Sequence, residues 1–186
     1  TDWFSWHAVF YLSAALCTGL AILLYRTLPS RRPVANGLRY ATLLSSMIQL
    51  LIRIPVVRRR GIYQSLLFGA FCLFWTASPL LLASPAFQMS QTGIALFSFA
   101  GVAGTIAAPF AGRIADLGYS RIATAGSMIA SAVSFLCAHL FPMGSTASLA
   151  ALVFGAVMLD AGITSNLVLG QRAIFRLPAK YRSRLN

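Results

Sequence analysis

Apolar residues in this chain neither alternate with polar ones, as on a half-buried strand, nor keep to one helical stripe; they come in long blocks. Five blocks, at about residues 3–25, 61–83, 93–112, 122–141 and 147–170, contain no Lys or Arg. At about 1.5 Å per residue, each is long enough as a helix to cross a hydrocarbon layer of about 30 Å. A soluble core helix rarely needs that length, and five in succession would leave no polar face for water. The pattern predicts five transmembrane helices in an all-α membrane protein.

Composition agrees. Of the 186 residues, 58% are hydrophobic and 10% charged, and the mean hydropathy is +0.76, which excludes an ordinary water-soluble fold. The 15 Lys and Arg stand against 3 Asp and Glu, a net charge of +12 that would suggest nucleic acid in a polar protein. Its distribution points elsewhere. Arg26, Arg31, Arg32, Arg39, Arg53, Arg58, Arg59 and Arg60 lie between the first two blocks, Arg113 and Arg121 between the third and fourth, and Arg172, Arg176, Lys180, Arg182 and Arg184 after the fifth. The intervening turns, Ser84 to Thr92 and Phe141 to Thr146, hold none, and neither does the start, Thr1-Asp2. Five crossings gather every cation on one side, an extreme positive-inside bias that places the amino end outside, the carboxyl end in the cytoplasm. The charge reads as a topology signal, with membrane lipid headgroups as natural contacts and no nucleic acid partner.

The stretch Tyr40 to Val57 is apolar enough to be weighed as a sixth span. Leu43, Leu44, Met47, Leu50, Leu51 and Ile54 recur at helical spacing, with Ser45, Ser46, Gln49 and Arg53 mainly between them. That arrangement suits an amphipathic helix lying on the cytoplasmic face. The only linker-like region precedes it, at Pro29, Arg31-Arg32-Pro33 and Asn36-Gly37.

Enzyme and cofactor signatures are missing. There is no nucleophile elbow, P-loop or zinc-protease motif, so no catalytic residue and no cofactor is expected. Ser127 and His139 are about 18 Å apart along one helix and cannot form a nucleophile and base. Cys17, Cys72 and Cys137 lie in separate spans without metal spacing and read as small side chains at helix interfaces; His7 and His139 have no ligand-spaced neighbour, so no metal is expected. Trp3, Phe4 and Trp6 suit an interfacial anchor.

The third span carries Ala100, Gly104, Ala108 and Gly112 at four-residue steps, with Gly101 alongside. Small residues at this spacing let a second helix backbone approach closely, which is how helices gain contact in lipid. The stripe runs into Gly112-Arg113-Ile114-Ala115-Asp116-Leu117-Gly118-Tyr119-Ser120-Arg121. At a helix junction Asp116 can accept backbone N–H bonds, and Arg113 and Arg121 can pair with it or with lipid phosphate. A basic hairpin with a helix cap is the plainer account of the same residues.

This loop resembles the Gly-x-x-x-Asp signature loop of the major facilitator superfamily. It departs from the family pattern in Leu117, where a basic residue is usual, and in Gly118, which comes one position early. The order of elements is similar as well: one span, a basic segment with a surface helix, two spans, the loop, two more spans. Leu159-Asp160-Ala161-Gly162 and the tail from Gln171 to Pro178 and Arg182 to Asn186 resemble the bacterial drug-efflux branch. The resemblance covers the whole chain and implies spans six to ten of twelve. Residues 1–25 would be the last span of the first bundle, 26–60 the basic linker with its amphipathic helix, and 61–186 a partial second bundle. Five spans before and two after would be missing helices of the full-length transporter, so the chain is expected to be a fragment that does not transport alone. The implied function is proton-coupled efflux of small organic molecules by alternating access in the bacterial inner membrane. The alternative is a non-transporting remnant of a disrupted gene, or a membrane interaction protein.

Asp160 lies midway through the fifth span, where a charged carboxylate costs about 2.5–3.5 kcal/mol and so needs a partner, a watery cavity or a proton. At helical spacing it shares a face with Val153, Ala156, Thr164 and Gln171. Span two presents Gln64, Phe68, Cys72, Trp75 and Pro79 on one broad face. Asp160, Thr164, Gln64 and Trp75 are therefore candidates for a substrate or proton pathway. A structural acid bonded to a neighbouring helix, and a packed Trp, are the alternatives. Pro79 suggests a kink.

Overall fold

A computed structural model describes residues 6–28 and 40–177, with the backbone alone at Trp6 and Leu43. The described residues form seven helices: α1 Trp6–Thr27, α2 Tyr40–Arg53, α3 Pro55–Ala83, α4 Gln91–Gly104, α5 Ala107–Asp116, α6 Ser120–Cys137 and α7 Thr146–Phe175. Among the described residues, five segments are long and apolar enough to cross a membrane: His7–Thr27, Pro55–Ala83, Gln91–Asp116, Ser120–Cys137 and Thr146–Phe175. The protein is an all-α membrane protein, as the apolar blocks predict. Trp3 and Phe4, the linker at Pro29 to Gly37, and Arg31, Arg32, Arg39, Lys180, Arg182 and Arg184 lie outside the described residues.

The chain divides into two units, Thr1–Tyr40 and Ala41–Asn186. In the first, α1 is a single span with Arg26 in its last turn, a cation suited to the negative end of the helix dipole. The second contains everything else described.

In this second unit α2 stops at Arg53, and Ile54 is extended, with φ −105° and ψ 102°. Pro55 imposes the break, because a proline ring disfavours helical geometry in the residue before it and fits the first turn of the helix it opens. Two consequences follow. The amphipathic segment is 14 residues long, too short to cross a bilayer. The next span begins at Pro55, six residues ahead of the expected block, so Arg58, Arg59 and Arg60 stand in its opening turns rather than in a linker. Leu50 is buried, while Leu44, Met47 and Leu51 are half exposed. Further along, α3 runs on through Pro79.

The third span is interrupted. Pro109 has no N–H to offer the Thr105 carbonyl and its ring crowds that oxygen. The chain answers with a tight turn, in which Thr105 N donates to Val102 O at 3.1 Å and Ala108 N to Thr105 O at 3.1 Å. The continuous stripe expected over Ala100, Gly104, Ala108 and Gly112 is therefore broken between its second and third members. Gly104 and Gly112 are buried, Ala100 and Ala108 only partly so, and beyond the break the buried face consists of Ala111, Gly112 and Ala115.

At the centre of the unit is α7, with half of its most apolar window buried against 17–28% for the other spans packed around it. It meets α3, α4, α5 and α6. Its approach to α6 depends on small residues on both helices. A side chain on Gly155 would come 2.9 Å from Ser134 O, and one on Gly162 2.6 Å from Ser127 O. Ser127, Ser131 and Ser134 can be buried there because each hydroxyl donates to its own helix, at 2.8, 3.0 and 2.7 Å. Cys137 is buried beside Gly155, as an interface thiol should be, whereas Cys72 is exposed on α3. Leu67, Phe74, Leu82, Phe97, Leu152 and Leu159 fill the centre, with Phe74 edge-on to both Trp75 and Phe135 at 5.9 Å.

Candidate functional site

The middle of α7 holds a carboxyl group in a closed niche. Asp160 is 8% exposed, and its Oδ1 accepts a hydrogen bond from Trp75 Nε1 at 3.2 Å. Glycines make the room. A side chain on Gly101 would collide with Asp160 Oδ2 and come 2.8 Å from the Trp75 ring. One on Gly104 would collide with Asp160 Cβ and lie 2.7 Å from Ala161 N. Trp75 is in turn set by Phe97 at 5.7 Å and by Phe74. No Lys or Arg pairs with Asp160 among the described residues.

Of the residues expected in a pathway, Asp160 and Trp75 are thus brought together. Gln64 is not part of that pair; its Oε1 accepts from Asn166 Nδ2 at 2.9 Å. Asn166 is 1% exposed and its Oδ1 has no partner, the only such buried side-chain atom among the described residues. Thr164, one turn beyond Asp160, is half-buried and makes no side-chain hydrogen bond among them. Two polar contacts therefore cross the α3–α7 interface. Sequence reasoning missed Asn166, although a lone amide inside an apolar block is a visible signal.

The loop at the end of α5 has a definite geometry. Gly118 has φ +88°, Gly118 N donates to Ala115 O at 3.2 Å and Tyr119 N to Ile114 O at 3.2 Å. This pair of bonds is the glycine stop of a helix carboxyl end. It explains why the glycine stands two residues after Asp116. Asp116 itself ends α5, where the helix dipole is negative and repels a carboxylate. A cation offsets this. Arg172, in the last turn of α7, forms an ion pair with Asp116, and Arg176 donates to Ala115 O at 3.3 Å. Gly112 opens the path: a side chain there would sit 2.9 Å from the Arg172 guanidinium. The Gly-x-x-x-Asp spacing therefore places an open position and a carboxylate one turn apart beneath a single arginine. The expected pairing of Asp116 with Arg113 or Arg121, or with backbone N–H groups, is replaced by this one. Arg113 is exposed on α5, and Arg121 lies in the first turn of α6. These contacts, with Arg60 Nη1 donating to Thr124 Oγ1 at 2.8 Å, put the basic residues of the unit at one end of the bundle.

Five spans of this length define a multi-pass membrane protein, and its relatives give its class. Residues 1–185 match the model of the Major Facilitator Superfamily, and the chain belongs to that family. It is 33% identical over 180 residues to YgaY, an uncharacterized transporter of Escherichia coli strain K12, covering 97% of this chain and 44% of the relative. It is 30% identical over 170 residues to the transporter SCO4007 of Streptomyces coelicolor, covering 90% of this chain and 38% of the relative. The chain thus spans less than half the length of these curated relatives. No solved structure matches it. Membership places the chain among transporters rather than enzymes.

Proposed function

We propose that the chain supplies the last span of the first bundle and most of the second bundle of a proton-coupled exporter of small organic molecules, of the drug-efflux type. The carrying observation is Asp160: a buried mid-span carboxyl group with one neutral donor and no cationic partner among the described residues. A charge so placed is costly in a bilayer, and a group that takes and releases a proton as its surroundings open relieves that cost. Asp160, Trp75, Gln64 and Thr164 form the substrate or proton pathway on the facing sides of α3 and α7. Bacterial relatives and the one-ended basic charge support an inner-membrane location, with the amino end periplasmic and the carboxyl end cytoplasmic. The test uses the full-length protein carrying this chain, in inverted membrane vesicles. A dye and drug panel should be moved when a proton gradient is imposed and stop when it is collapsed; transport indifferent to the gradient sinks the reading.

In this reading the segment Gly112, Arg113, Asp116, Gly118 and Arg121 is the gate, and Arg172 holds it closed. The latch is exposed on both sides, so it holds back a modest shift. Arg172→Gln is expected to raise thiol labelling at Ala115→Cys, a fully buried position, by up to about fivefold, the population that an ion pair worth about 0.2–1 kcal/mol restrains. Unchanged labelling removes the latch.

A further inference from the structure

At the basic end of the bundle, a cavity of about 460 Å³ opens between the first turns of α3 and α6, lined by Arg59, Arg60, Tyr63, Arg121, Thr124 and Met128. Three guanidinium groups around one cavity repel one another unless something anionic sits among them. The chain has little to offer. Of its three acidic residues, Asp116 is taken by Arg172, Asp160 is held in mid-span by Trp75, and Asp2 lies outside the described residues. Arg59 and Arg121 have no hydrogen-bond or ion-pair partner among the described residues.

The cavity is nevertheless built. Arg60 Nη1 donates to Thr124 Oγ1 at 2.8 Å, and that hydroxyl spends its own proton on Ser120 O at 2.7 Å. The Arg60 guanidinium is thereby fixed with most of its donors unspent. Guanidinium groups match the oxygens of phosphate in pairs, which makes a phosphate-bearing anion the complement of this cluster. We propose that this cavity is a binding site for a phosphate group, supplied by an anionic phospholipid headgroup or by free phosphate. The shape favours the lipid. Down α6 the wall turns from Arg121 through Thr124 to Met128 within two turns, and the adjoining face exposes Ile122 and Ile129, 70% and 63% accessible, as a surface for acyl chains.

Native mass spectrometry of the purified full-length protein carrying this chain, titrated with phosphatidylglycerol, tests this. The wild type should hold phosphatidylglycerol in preference to phosphatidylcholine. Arg59→Gln/Arg121→Gln should weaken it by roughly 30-fold, while Arg53→Gln/Arg58→Gln, which removes the same charge without touching the cavity, should stay within about threefold of wild type. Displacement of the lipid by millimolar inorganic phosphate would identify free phosphate as the source; resistance to it identifies the lipid. Equal losses in the two double variants, or none in either, overturn the proposal. A photoreactive phosphatidylglycerol supplies a readout on the unaltered protein: its crosslinks should map to the segment around Met128, and crosslinks confined to other helices also overturn it.

Discussion

Gly104→Val is expected to detach α4 from α7 and to lower the stability of the chain by several kcal/mol. The reason lies in what the missing side chain would meet. At Gly104 even a methyl group would overlap Asp160 Cβ and press on backbone atoms, Ala161 N at 2.7 Å and Asp160 C at 2.9 Å. Backbone atoms in the middle of a helix cannot step aside as a flexible side chain does, so the two helices must separate. In lipid there is no hydrophobic exclusion to hold them together once dispersion contact is lost. Overpacking of this kind costs about 1–3 kcal/mol for small additions. Gly104→Ala should fall in that range and Gly104→Val beyond it. Gly69→Ala is the matched comparison: nothing lies within 4 Å of the added methyl, and alanine gains roughly 1 kcal/mol of helix propensity. Thermal unfolding in detergent, followed by circular dichroism and by protease resistance of the α4–α7 region, should rank Gly69→Ala at or above wild type, then Gly104→Ala, then Gly104→Val. Equal melting of all four proteins would mean that α4 does not rest on α7 as described.

The spans were legible because the solvent dictates them. A bilayer demands a fixed run of apolar residues, and the cations mark where each run ends, so the five blocks reappear as five spans, the third of them built from two helices. Helix ends set by proline were only partly legible. The start of α3 at Pro55 follows from one proline, and the interruption at Thr105 from another, Pro109. The regular small-residue spacing from Ala100 to Gly112 conceals the second of these, since the spacing assumes the very helix that Pro109 breaks. Partner choice was hardest to read. Asp116 has Arg113 and Arg121 as near neighbours in the chain, yet pairs with Arg172, 56 residues away. With arginines abundant and acids scarce, proximity in sequence carries no information about which cation wins. Gly112 favours Arg172, because a side chain there would press on its guanidinium. Likewise the serines of α6 and the glycines of α7 look unremarkable singly, and only their facing registers make an interface.

Asp160→Asn is expected to reduce gradient-driven transport by the full-length protein to the level of vesicles without it, while leaving the fold unchanged. The substitution separates the two things the acid does. As a hydrogen-bond acceptor, an Asn carbonyl can replace Oδ1 opposite Trp75 Nε1, and the side chain has the same shape, so the niche between Gly101 and Gly104 stays filled. As a proton carrier, the amide is inert. A purely structural role therefore predicts wild-type transport and wild-type melting in Asp160→Asn; a coupling role predicts wild-type melting with coupling lost. Trp75→Phe gives the opposite division. It keeps most of the aromatic packing against Phe74 and Phe97 but removes the one donor, leaving the acid without its partner at a cost of about 1–3 kcal/mol, while the proton-carrying group remains. That variant should melt earlier and still respond to the gradient. Asp160→Glu keeps the acid but adds a methylene where Gly101 and Gly104 leave no space, so it should lose stability as well as rate. Proton-driven transport at the wild-type rate in Asp160→Asn would remove Asp160 from the coupling path, and with it the observation on which the proposed mechanism rests.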